Sequence, residues 1–177
     1  MGRLPILVFI LALPVFGQDF KLPTSLDRLA AKAVETVDVN LEGAMLELAG
    51  NFLSSRKEDE ARVKALIQGL KGIHVKSFEF EREGEYTPAD VEAIRSQLRA
   101  PAWTRIAGVV SKRDGENVEV YTKPQGDRIG GLVIIAAEPK ELTVVNIVGT
   151  IDLEQLRELG GRFGIPGVEV ERKKPAN

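Results

Sequence analysis

Apolar and polar residues follow two different periods along this chain, and the changes of period divide it into elements. Leu26, Leu29, Ala30, Ala33 and Val34 recur at helical spacing behind Thr24-Ser25, and Asp27 lies three residues after Thr24. A helix with a capped start is therefore predicted over 25–34. "TVDVNLE" then changes to period two. Val37, Val39 and Leu41 fall on one side and Thr36, Asp38 and Asn40 on the other, a strand with one wet face. Two helices are predicted next, over 43–54 and 58–70. Met45, Leu46, Leu48, Ala49, Phe52 and Leu53 face the first, and Val63, Leu66, Ile67 and Leu70 the second, with Lys71-Gly72 as the expected stop. In "IHVKSFEFE", Ile73 and Val75 share one face but Phe78 and Phe80 the other, which suggests a β-bulge near Lys76-Ser77. Thr87-Pro88-Ala89-Asp90 opens a further helix, with proline at its first position and Val91, Ile94 and Leu98 as its apolar stripe.

Beyond Pro101 the period is two again, over about 103–111, 116–122, 128–137 and 142–150, with turn residues at Arg113-Asp114-Gly115, Pro124 to Asp127 and Pro139-Lys140. A short helix over 152–159 would end at Gly160-Gly161. The order α-β-α-α-β-α-β-β-β-β-α predicts an α+β domain: a single mixed, largely antiparallel β-sheet of about six strands packed with helices.

The run "GGLVIIAAEPKELTVVNIVG" is apolar on both faces. With Pro139 and Lys140 at a two-residue tip, Glu138 pairs with Glu141 and Ala137 with Leu142. Val133, Ile135, Val144 and Asn146 then share one face, and Leu132, Ile134, Ala136, Val145 and Ile147 the other. Strands of this kind are buried on both sides. The second set is the more continuous, so it is assigned to the helical layer. The first holds a polar residue and is assigned to a lighter cover or a partner contact.

"LAAKAVETVDVNLEGAMLELAGNFL", "LKGIHVKSFEFEREGEYTPADVEAIRSQLRAPAWTRI" and the segment from Gly131 to Pro166 resemble a family of small exported bacterial proteins catalogued only as a domain of unknown function. The resemblance covers residues 26–166 and is carried most specifically by "QLRAPAW" and "EPKELTVVNIVG". It implies an exported single domain and brings no catalytic residues.

The first twenty residues change the picture of what folds. Arg3 precedes an uncharged apolar run over 4–16, and Val15 and Gly17 are small residues placed for signal-peptidase cleavage. Residues 1–17 are expected to be a signal peptide, 18–170 the domain and 171–177 a flexible tail. The apolar run is too short to span a bilayer, which needs about 20 residues. Without residues 1–17 the chain loses one charge, Arg3, leaving 23 basic and 26 acidic residues of mixed order. No basic face is available for nucleic acid. The chain has no cysteine, so disulfides are excluded and stability must come from the core.

Candidate chemistry is sparse. His74 is the single histidine, too few for a zinc site, and no nucleophile motif accompanies it. Asp38 with Glu79 or Glu81 would make a carboxylate pair if the strands brought them together. Arg95 and Arg99 lie four apart on a helix, spaced to clamp an anion or simply to face solvent. Trp103 is a binding anchor or a core residue. Asn146 is a polar residue in an apolar strand, structural or a ligand contact. With Val133, Ile135 and Val144 these are the candidate binding residues. Neither a cofactor, a metal nor a catalytic residue is assigned. The expected function is a non-catalytic, exported envelope domain acting by protein interaction, regulation included, on an unknown envelope protein or on itself. A binding protein for a small apolar ligand is the alternative, and a carboxylate-based hydrolase ranks third.

Overall fold

The structure is a computed structural model that describes residues 20–52 and 58–151. The expected signal peptide (1–17), the end of the first long helix (53–54), the closing helix (152–159) and the tail (171–177) lie outside them. A 3-10 turn, Thr24–Leu26, leads into α1 (Asp27–Ala30). Then come β1 (Glu35–Glu42), α2 (Gly43–Asn51), α3 (Glu58–Gln68), β2 (Leu70–Glu79), α4 (Pro88–Arg95), β3 (Thr104–Ser111), β4 (Glu116–Gln125), β5 (Arg128–Glu138) and β6 (Glu141–Ile151). The six strands form one sheet in the order β1-β2-β6-β5-β4-β3. Each pairing between neighbours is antiparallel. The expected α+β fold on a single sheet is present, and no parallel pair is needed to build it.

Register across the last hairpin is the one that the two-residue tip dictates: Glu138 opposite Glu141 and Ala137 opposite Leu142. α4 also starts as its sequence requires. The Asp90 carboxylate accepts the Thr87 backbone N–H and hydroxyl, both at 2.8 Å, so an otherwise orphaned donor at the helix start is satisfied. Val91, Ile94 and Leu98 are buried.

Four local expectations are corrected. The first helix ends at Ala30 rather than 34, and its start is capped by no side chain. Once Leu26 and Leu29 are fully buried, the chain turns so that the Val34 N–H can reach the Glu79 carbonyl at 2.8 Å and begin β1. α3 stops at Gln68, one residue before Gly69, and Lys71-Gly72 already belong to β2. The bulge expected at Lys76-Ser77 is absent, since Ile73 to Glu79 pair without interruption on both sides. The register shift lies between Leu70 and Gly72 instead. β2 changes its apolar face because it serves two cores, Leu70 and Ile73 on one side of the sheet and Phe78 on the other.

Those two cores also correct the assignment of faces. Val133, Ile135 and Val144 are 0%, 1% and 2% exposed, under Leu26 and Leu29 of the N-terminal segment and Val91, Ile94 and Leu98 of the α4 region. This is the larger core, on the face expected to have the lighter cover. Leu132, Ile134 and Ile147 face the smaller core, beneath Leu46 of α2 and Ile67 of α3. Helices therefore lie on both faces rather than stacking on one. β1 and β2 are antiparallel neighbours, so α2 and α3 do not bridge parallel strands, and the handedness rule for such crossovers does not constrain them.

Candidate functional site

Of the seven candidate binding residues, four are explained by packing and pairing. Trp103 is 3% exposed and meets Phe20 edge to face, with ring centroids 6.4 Å apart. Val133 and Ile135 are core. Arg95 does not clamp a free anion. It makes a forked contact to the buried Glu119 carboxylate, Nε to Oε2 at 3.1 Å and Nη2 to Oε1 at 2.5 Å, and reaches Glu92 at 2.8 Å. Arg99 also bonds to Glu92, at 3.3 Å, and is otherwise exposed.

Glu119 was not among the sequence candidates, yet it centres the main polar cluster in the larger core. Tyr121 donates its hydroxyl to Glu119 at 2.6 Å, and Arg105 lies 3.6 Å away. Burial alone would raise the Glu119 carboxyl. The bonds from Arg95 and Tyr121 and the two arginine charges outweigh it and hold the pKa below the ordinary value. Asp90 follows the same balance: burial raises it, while the Thr87 bonds and Arg28 pull it down overall. The signal for Glu119 was period two in "NVEVY", which places Asn117, Glu119 and Tyr121 on one face of β4. Only the tertiary fold sets Arg95 above that face.

Val144 and Asn146 line an open groove of about 470 Å³, and here the structure assembles residues that the sequence left apart. Its floor is the end of the sheet where β1, β2 and β6 meet, and its wall is the segment from Phe20 to Asp27. Register puts Asn40, His74 and Asn146 in one row across three strands. The next row holds Asp38, Lys76 and Val144. Close polar pairs line the groove, which also holds the exposed Lys21. Lys76 Nζ lies 3.3 Å from Asp38 and 3.5 Å from Asp27, and His74 Nε2 lies 3.1 Å from Glu42. A Cβ on Gly72 would come within 3.0 Å of that imidazole nitrogen, so glycine leaves the ring its place. Asp38 does not converge with Glu79 or Glu81: Asp38 faces Lys76, while Glu79 pairs with Glu35. No group of three or more metal-ligating side chains occurs among the described residues.

A third surface is the outer strand β3. It pairs only with β4, and Ile106, Val109 and Val110 are 45%, 48% and 64% exposed. Its cation, Arg105, is folded across Gly108, where any Cβ would collide with the guanidinium, and is drawn to Glu119. No helix among the described residues is long and apolar enough to cross a membrane.

No curated protein matches the chain. Residues 31–159, which run from the end of α1 through the whole sheet, match the family described as Domain of unknown function (DUF4252), and the chain belongs to that family.

Proposed function

We propose that this protein is exported and acts by binding another protein, an extended segment of which adds to the outer edge of β3, with no catalytic step of its own. The observation that carries this reading is the character of that edge. Outer strands are ordinarily protected by charges, prolines or bulges that discourage pairing. Apart from one register shift between Arg105 and Ala107, β3 has none of these: it presents three exposed branched apolar residues and turns its one charged side chain toward Glu119. Such an edge offers unpaired backbone groups for a partner strand and side chains for specificity. The two buried carboxylates, Glu119 and Asp90, are bound to arginines and held ionised, which suits a structural role better than proton transfer near neutral pH.

The test is a pull-down from envelope extract of the source cells with wild type and Val109→Lys, together with light scattering of the pure protein. A lysine at an exposed position should leave the fold intact and abolish retention of the partner. Equal retention by both proteins would overturn the edge assignment. A wild-type dimer lost in Val109→Lys would replace the foreign segment with a second copy of this chain.

Export rests on Arg3, the apolar run over 4–16 and the small residues Val15 and Gly17. Intact-mass measurement on material from the native host should show a chain beginning at Gln18. Full-length protein confined to the membrane fraction would contradict export in this form.

A further inference from the structure

We infer that the segment added to the β3 edge is an apolar strand led by acidic residues, which meet Lys112 and Arg113. This rests on the reading of that edge as the binding surface and names the chemistry of the partner. Lys112 and Arg113 follow β3 directly, in the turn toward β4, and both are exposed. Neither side chain makes an ion pair or hydrogen bond among the described residues. Other cations are committed: Arg28 to Asp90, Lys76 to Asp27 and Asp38, Arg95 to Glu119 and Arg99 to Glu92. Of the nearby acids, Asp114 accepts the Ser111 hydroxyl at 2.6 Å, and Glu116 stands one strand inward on β4. An apolar edge thus ends in two cations that no described residue neutralises.

Direction and register follow from the sheet. Every neighbouring pair in it is antiparallel, and antiparallel pairing is slightly the more stable kind. A strand laid antiparallel along β3 starts opposite Ser111 and the turn, so its first residues are those that reach Lys112 and Arg113. Acids are therefore placed ahead of the apolar run. Ala107 and Val109 stand opposite Val120 and Val118, and those in turn opposite Ile134 and Ala136. An apolar side chain beside Ala107 or Val109 extends these aliphatic rows by one strand. On the other face Gly108 is overlain by the Arg105 guanidinium, which favours a polar residue there. The same charges select against a second copy. Two β3 strands paired antiparallel about Gly108 would set Lys112 of each opposite Thr104 and next to Arg105 of the other, and like charges across a pair are destabilising.

The experiment is fluorescence anisotropy of the protein with two labelled peptides, Glu-Glu-Val-Val-Thr-Val-Thr and its counterpart with two leading lysines. The glutamate peptide should bind about tenfold tighter, the difference expected when two exposed charge pairs turn from repulsion to attraction. The gap should shrink as salt is raised from about 0.05 to about 0.5 M. Lys112→Glu combined with Arg113→Glu, both at exposed turn positions, should leave Tm unchanged and reverse the preference. Val109→Asn adds no charge and should weaken both peptides alike. Equal binding of the two peptides, weakened in Val109→Asn, would overturn the acidic partner and leave the edge standing. Peptide binding that Val109→Asn leaves unaltered would overturn the edge reading as well. Binding of neither peptide would overturn the acidic partner, with the pull-down still deciding the edge.

Discussion

Ile135→Glu is expected to abolish cooperative folding, whereas Ile134→Glu is expected to leave a folded protein of reduced stability. Ile135 is 1% exposed and sits in the larger core with Leu26, Leu29, Phe78 and Ile94, each fully buried. A carboxylate there would have no free partner: Arg95, at the end of α4 above this face, is already committed to Glu119, the cross-strand neighbour of Ile135. Burying an unpaired charge costs more than most domains can spare from a total stability of about 5–15 kcal/mol. Ile134 lies on the opposite face, only partly buried at the margin of the smaller core. Its glutamate would reach water, at a cost of about 1–3 kcal/mol. Far-UV circular dichroism through a thermal melt separates the two. Loss of the transition in Ile134→Glu with its retention in Ile135→Glu would reverse the assignment of faces.

Arg95→Ala should be the most damaging substitution at a partly exposed position, and its effect should depend on pH. The Glu119 side chain is 4% exposed and Arg95 supplies two of its hydrogen bonds. Breaking a buried pair from one side typically costs about 3–5 kcal/mol. Arg95 is itself a third exposed and Arg105 stays nearby, so the low end applies, about 3 kcal/mol or roughly 10 °C in Tm. In the wild type the folded pKa of Glu119 is below its ordinary value of 4.5. The stability it contributes is therefore fully present above that value and is lost as the pH falls through the folded pKa. Without Arg95, burial becomes the dominant influence and raises the carboxyl. A protonated Glu119 is then tolerated, so the deficit should be greatest at neutral pH and shrink toward pH 4. Urea unfolding of both proteins at pH 7 and pH 4 measures it. A deficit independent of pH would mean that Arg95 acts through packing alone.

Local grammar explains which elements were legible. Proline at the first position with a side-chain cap specifies a helix start from four residues, and α4 begins there. A two-residue tip between apolar runs allows one register, and β5 and β6 adopt it. Where a pattern depended on what covers it, the sequence misled. "IHVKSFEFE" looked bulged because alternation alone cannot reveal that one straight strand feeds cores on opposite faces. The glycine stop was placed at Gly72 rather than Gly69 because each comes two residues after an apolar one, Ile67 or Leu70, and only the pairing of Leu70 with Gly149 decides where β2 begins.

The candidate site divides in the same way. From sequence alone Asn146 stands out as a polar residue in an apolar strand, because that contrast is local. Its neighbours are not local: Asn40, His74 and Asn146 are brought into one row only by the order β1-β2-β6, which unites strands separated by most of the chain. Arg95 stands out in the sequence only as a possible anion clamp and Glu119 not at all, and their pairing exists only because α4 lies over the sheet. The sequence by itself determined the elements, the hairpin register and the two-sided burial of the central strands, since these follow from periodicity and turn chemistry over a few residues. The tertiary structure decided which face bears the larger core, which charges are paired and where the groove lies, because each depends on contacts between residues far apart in the chain.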